Sequence, residues 1–216
     1  MSAQFPRLFT PARIGRHSLR NRVVFGAHTA NMAENGLPGA AHVAYYEARA
    51  RGGVGMIVSE GLRVHSTNCN PTSIGTFVPE VVTGLSRIAE RVHAHGVTLI
   101  GQIMHGGRQS HQHVPHLLWA PSAVPCLYSG YVPHAMTTAE VEEMREHFVL
   151  AAIRVQDAGW DGVELHAAQG LPELALIRRR YGKNSIELLG DLVGASAGDQ
   201  IQQAITVFGG NDDGRR

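Results

Sequence analysis

The chain has 216 residues, 44% of them hydrophobic and 17% charged, a composition that excludes whole-chain disorder and fits an ordinary folded protein. Nineteen Lys and Arg against eighteen Asp and Glu leave a formal charge of +1, so the balance points neither to nucleic acid nor to an anionic membrane surface. Two cysteines, Cys69 and Cys126, form no C-x-x-C spacing, which argues against a disulfide framework, a zinc ribbon or an iron–sulfur cluster and for a reducing cytoplasm. The opening Met1-Ser2-Ala3-Gln4-Phe5-Pro6 has no basic stretch followed by an apolar one. No window approaches the ~20 apolar residues of a membrane span, and the expected location is cytoplasmic.

In chain order, residues 23–27 form a short apolar run between Arg20-Asn21-Arg22 and a polar stretch over 31–39, as a buried strand requires. Residues 42–51 carry Val43, Tyr46 and Ala50 on one helical face and stop at Gly52-Gly53. Residues 54–58 read as a second strand. Beyond a loop rich in Thr, Asn, Pro and Gly, residues 79–95 place Val81, Leu85, Ile88 and Val92 at helical spacing, with Gly96 just past the end. The third strand is 97–103. A loop rich in His, Pro and Ser runs to about Met136, where Thr137-x-x-Glu140 offers a capping box for a helix burying Val141, Met144, Phe148, Ala152 and Val155. Gly159 closes that helix, and 161–166 is the fourth strand.

Apolar strands alternating with amphipathic helices imply parallel pairing through right-handed crossovers, so the expected class is α/β. Loops after the strands are long and the helix-to-strand turns are short, which suits a barrel with its site at the strand carboxyl ends. Each strand ends there in residues able to do chemistry: Ala27-His28-Thr29, Glu60-Gly61, Gln102 and His166. From Leu171 the texture changes. Residues 172–181 suit a helix with Pro172 at its start and Arg178-Arg179-Arg180 in its last turn, 185–193 and 200–208 are weaker helical patches, and 209–216 reads as a disordered end. A (β/α)8 barrel takes about 250 residues. The expectation is an incomplete barrel: four strand–helix units over 1–170 and a divergent, partly helical tail over 171–216.

Several segments, taken together, resemble the Old Yellow Enzyme family of flavin mononucleotide (FMN)-dependent oxidoreductases. They are Pro11-x-x-Ile14-Gly15 through Arg22; Tyr45-Tyr46-x-x-Arg49-Ala50-x-Gly52-Gly53 leading to Glu60-Gly61; Gln102-Ile103-x-His105-x-Gly107-Arg108; and Asp161-Gly162-Val163-Glu164-x-His166-x-Ala168. The resemblance covers residues 5 to 170, and Ala27-His28-Thr29 looks most like the branch of 2,4-dienoyl-CoA reductase and the methylated-amine dehydrogenases. It implies FMN as cofactor, NAD(P)H as reductant and an activated alkene or related small molecule as substrate. By resemblance, Ala27, the His28 backbone, Thr29, Gly61 and Gln102 contact the flavin, while His166 and Gln169 grip the substrate's oxygen. Gln102 offers both a donor and an acceptor to the ring's pyrimidine edge. Leu171 stands where many members place a proton-donating tyrosine, and leucine cannot donate a proton.

No match to the family's later strands follows Gly170, so the chain reads as a truncated or frameshifted member. Such a chain is either an oxidoreductase of this type or an inactive remnant that holds no flavin, and open barrel edges would favour self-association. Of the thirteen histidines, His105, His111, His113 and His116 suggest a metal, but no carboxylate cluster accompanies that loop and none is expected. His93 and His95 sit in a helix's last turn, where they complement the dipole. Glu164 is open between a general base and a residue that faces away from the site or pairs with a helix cation.

Overall fold

The computed structural model describes residues 5–109, 118–127 and 129–166, together with the backbone of a strand at 203–207. The chain opens with an antiparallel hairpin, β1 (Ala12–Ile14) and β2 (His17–Leu19), turned at Gly15 with φ of 53°. Then follow β3 (Val24–Phe25), α1 (Ala40–Arg51), β4 (Met56–Val58), β5 (Leu62–Arg63), α2 (Val81–His93) and β6 (Thr98–Met104). A short parallel pair, β7 (Trp119–Ala120) and β8 (His134–Ala135), precedes α3 (Thr138–Asp157) and β9 (Gly162–His166). The last strand is β10 (Gln203–Val207).

The main sheet runs β10-β9-β6-β4-β3, with β5 also paired to β6. All pairs are parallel except β10 on β9, and the register sets Met56 opposite Thr98, Ile100 opposite Gly162 and Gln102 opposite Glu164. The four expected strands and three expected helices are therefore present, most of them a residue or two shorter. Residues 200–208 are corrected: they do not form a helical patch, because β10 runs through them and covers the β9 edge that the sequence reading left open. Ile205, Thr206 and Val207 are β-branched, and branching at Cβ favours the pleated chain over the helix. The expected helices at 172–181 and 185–193 lie outside the described residues.

Side chains alternate across the strands, as a period of two requires. Ile57, Leu99, Ile103 and Val163 face the helices, where they bury against Leu85, Ile88, Val92, Phe148 and Val155. Met56, Val58 and Ile100 face the other way and meet Leu19 of the hairpin. Trp160 seals the helix side by donating its indole N–H to the Leu85 carbonyl at 3.0 Å.

The ends of the elements are secured by specific polar groups. The expected capping box is formed: Thr137 Oγ1 accepts the Glu140 N–H at 3.3 Å and Glu140 accepts the Thr137 N–H at 2.7 Å. That backbone hydrogen bond, with His134 beside it, brings the Glu140 carboxyl down to about 2. Arg20 forks across three carbonyls, those of Ala50 (3.1 Å), Val54 (3.1 Å) and His95 (3.2 Å), so one guanidinium serves the turns after both α1 and α2. Asp161 accepts the Leu99 N–H and a His93 ring N–H, each at 2.8 Å. His93 thus has a carboxylate partner as well as its place at a helix end.

Candidate active site

Because β3, β4, β6 and β9 are parallel, their carboxyl ends lie on one side of the sheet, where Ala27, Gly61, Gln102 and His166 are found. Gln102 is buried on the face opposite the helices. Its Nε2 donates to Glu164 Oε1 at 2.6 Å, which fixes the amide and leaves Oε1 turned toward Gly61. A Cβ at Gly61 would collide with the Met104 sulfur and lie 3.6 Å from Gln102 Oε1, so this position admits only glycine without rearrangement. Ala27 packs on the same face, against the cluster of Met56, Val58 and Ile100.

Glu164 corrects one open reading. It does not face away from the site, and among the described residues no helix cation pairs with it; strand alternation puts it on the face of Gln102, buried at 3% exposure. Burial raises its carboxyl above the ordinary glutamate value, and the Gln102 hydrogen bond only partly offsets that. His166, two residues further, shares the face. Its Nδ1 is buried and has no hydrogen-bond partner among the described residues. Burial lowers the His166 pKa, and the nearby positive charge of Arg63 lowers it further. Arg63 sits at the end of β5, reaching Asn68 Oδ1 at 3.2 Å and the Met104 sulfur at 3.0 Å.

The segment after β3 is held from behind. His42 Nδ1 accepts the Gly39 N–H at 3.4 Å, so Nε2 carries the ring proton and donates it to Glu60 Oε1 at 2.8 Å. Glu60 Oε2 accepts the Ala30 N–H at 3.2 Å, and the Glu60 N–H donates to the Tyr46 hydroxyl at 2.9 Å. Glu60, one residue before Gly61, thereby ties the Ala27–Ala30 stretch to α1. The His28 ring turns toward that helix: its Nε2 bonds the Tyr45 hydroxyl, and Arg49 lies 3.4 Å over the Tyr45 ring. Thr29 is exposed. Gln169, Leu171 and the histidines at 111, 113 and 116 lie outside the described residues.

Sequence reasoning missed Arg63 and the roles of Glu164, Glu60 and His42. For Glu164 the signal was present, since Gln102, Glu164 and His166 share one strand parity once the register is known. His42 lay in the helix without a partner in view, because its carboxylate comes from a strand end elsewhere in the sequence.

The sequence pattern of the NADH:flavin oxidoreductase / NADH oxidase family matches residues 7–192, which runs past Gly170. The chain is 39% identical over 171 residues to an NADH oxidase of Thermoanaerobacter brockii, covering 77% of this chain and 26% of that protein. It is 33% identical over 168 residues to an NADPH dehydrogenase of Halalkalibacterium halodurans, covering 76% of this chain and 48% of the relative. Among solved structures, morphinone reductase in complex with tetrahydroNAD superposes with a TM-score of 0.69 at 31% identity, covering 77% of this chain and 50% of that one. The chain thus spans about half or less of the length of these relatives. On a match that takes in most of its residues, the chain belongs to the NADH:flavin oxidoreductase / NADH oxidase family.

Proposed function

We propose that this chain supplies the N-terminal side of an FMN site of the Old Yellow Enzyme type, at which hydride passes from NAD(P)H to an activated alkene or related acceptor. The family implies FMN as cofactor and NAD(P)H as reductant. The observation that carries the proposal is the buried Nδ1 of His166, without a partner among the described residues, on the strand face shared with Gln102. Buried polar atoms ordinarily have partners. One left open at a barrel strand's carboxyl end is placed for a ligand.

The residues fit a flavin ring. Gln102 keeps Oε1 as an acceptor because Glu164 holds its amide nitrogen, and the side-chain-free Gly61 allows a flat ring close to backbone. Ala27, the His28 backbone and Thr29 flank them, held by Glu60 through Ala30. Bound FMN would supply the two-electron relay between NAD(P)H and substrate. His166 is kept neutral by burial and by Arg63, so it offers a ring N–H to a substrate oxygen without placing a charge there. A carbonyl so held is polarised, its β-carbon accepts hydride more readily and the enolate that forms is stabilised. Gln169 is the second hydrogen-bonding group on that oxygen. Leu171 donates no proton, so the α-carbon proton comes from another source.

Ala27-His28-Thr29 supports placing the chain near the 2,4-dienoyl-CoA reductase and methylated-amine dehydrogenase branch, and Cys69 and Cys126, far apart and without a C-x-x-C spacing, suit a reducing cytoplasm. Among the described residues no helix is long and apolar enough to cross a membrane. A second reading, in which the 216-residue chain by itself holds no flavin and associates with itself, is favoured by β3. That strand is two residues long, pairs among the described residues only with β4, and leaves Val24 at 44% exposure.

Two measurements separate the readings. Titrating the chain with FMN should give no stoichiometric fluorescence quenching at low micromolar concentration, and a one-to-one endpoint would sink the second reading. Joining residues 1–170 to the C-terminal half of a family member should restore FMN binding and a charge-transfer band with a phenol. His166→Ala should then weaken the phenol about tenfold or more, since a hydrogen bond to a charged group is worth about 1.5–3 kcal/mol. An unchanged phenol affinity would remove His166 from the role.

A further inference from the structure

We propose that His65, Glu143 and His147 form a binding site for a zinc-class divalent cation, separate from the residues assigned to flavin and substrate. One ligand comes from the loop just after β5, and two come from α3, where an i, i+4 spacing sets Glu143 and His147 on one helical face. Their candidate ligand atoms all lie within 4.8 Å of one another. His65 Nε2 and Glu143 Oε1 are 3.3 Å apart. In a tetrahedral centre with bonds of about 2.0–2.2 Å, neighbouring ligand atoms sit about 3.3–3.6 Å apart, so this pair is already at the required separation. The two imidazole rings meet edge to face, 85° between planes and 4.6 Å between centroids, so closing the third ligand needs only a small movement of His147.

The surroundings orient the rings as metal-bound imidazoles are oriented. His147 Nδ1 donates to the Val64 carbonyl at 3.0 Å, which commits the other ring nitrogen to the acceptor role a metal requires. Trp119 stacks on His65 at 5.0 Å and 29°, and Thr67 Oγ1 lies 2.8 Å from His65 Nδ1. In the cation-free state His65 Nδ1 accepts the Thr67 N–H at 3.3 Å, so the ring proton is on Nε2 and points at Glu143. Ligation moves that proton to Nδ1, where Thr67 Oγ1 accepts it, and exchanges the two 3.3 Å contacts, Nε2–H to Glu143 and Thr67 N–H to Nδ1, for the metal bond. Two imidazoles, a carboxylate and a water complete the four positions zinc prefers.

The test is calorimetric titration of the full chain with Zn2+ in a buffer that does not coordinate metals, alongside Co2+ followed by its visible absorption. The expected result is one tight equivalent with four-coordinate Co2+ bands. His147→Ala should abolish both, Glu143→Gln should weaken Zn2+ at least about tenfold, and Thr67→Val should weaken it about 10- to 100-fold, the usual effect of losing a group that orients a ligand. Glu143 is half exposed, so Glu143→Gln leaves the fold intact and reads the site alone. No uptake by the wild-type chain overturns the proposal. So does uptake with the same stoichiometry and affinity in His147→Ala and Glu143→Gln, which would assign the metal to the chain's other histidines.

Discussion

The two faces of the central sheet are built differently. The face toward the helices is continuous and apolar, with Leu85, Ile88, Val92, Leu99, Ile103 and Val155 all at 0% exposure. The opposite face holds, among the described residues, a small buried cluster of Leu19, Met56, Val58 and Ile100, with Ala12, Ile14 and Ala27 packed against it, and then turns polar at Gln102, Glu164 and His166. The apolar packing resides on the first face and the polar groups of the candidate site on the second. This separation is how a barrel strand can end in polar groups that would be costly within a core: packing on one side holds the strand while the other side is free to present them.

The largest expected effect tests that division. Ile88→Ala on the helix face should lower the unfolding free energy by about 2–5 kcal/mol, since it removes buried methyl and methylene groups and leaves a cavity. Val58→Ala on the other face should lose about 1.5 kcal/mol or less, the transfer term alone at about 0.8 kcal/mol per methylene. Urea unfolding measures both. Equal losses would mean that the inner face is closed over by tight packing, and the contrast would fail.

A smaller effect is expected within the polar face. Glu164→Leu strands the Gln102 amide in a buried place, which costs about 1–3 kcal/mol, whereas Glu164→Gln keeps an acceptor for it. The pH dependence has a definite sign. Burial raises the folded Glu164 pKa, so the wild-type glutamate contributes most below the unfolded value of about 4.3 and loses that contribution as pH rises through the raised folded value. Glu164→Gln should therefore match or exceed wild type in stability at pH 7 and lose that advantage at pH 4. A variant less stable at pH 7 than at pH 4, relative to wild type, would contradict the raised pKa.

The smallest effect belongs to the amino end of the strands, far from the polar face. The hydrogen bond to Asp161 raises the His93 pKa, so the pair's contribution is complete below the unfolded value of about 6.5 and is lost as pH rises through the folded value. His93→Asn should destabilise the protein at pH 6 and have little effect at pH 9. With His93 37% exposed, the difference stays under about 1 kcal/mol. A loss independent of pH would show that packing, not charge, is what His93 contributes.

The helix-facing half of the molecule was the more legible from sequence. Val81, Leu85, Ile88 and Val92 recur with the helical period, and Thr137 and Glu140 announce their cap, because these signals are local. The β1–β2 hairpin was overlooked although Gly15 marks its turn, since three-residue strands carry too little alternation to read. At the site, Gln102 and His166 were legible as strand ends, but the environment of each was not. Whether Glu164 meets Gln102 depends on the β6–β9 register, and register is a relation between segments far apart in the chain. β10 was misread as helical for the same reason: its partner is β9.

Arg20 has a dynamic consequence. Its three carbonyl acceptors belong to two separate helix-to-strand connections, around Val54 and His95, so neither connection can open without stripping the same guanidinium of part of its shell. Native-state hydrogen exchange should then show the Gly53, Gly55 and Gly96 amides opening as one cooperative unit with a shared free energy. Replacing Arg20 with lysine, which keeps the charge but has no planar fork, should split that unit into two connections that open separately.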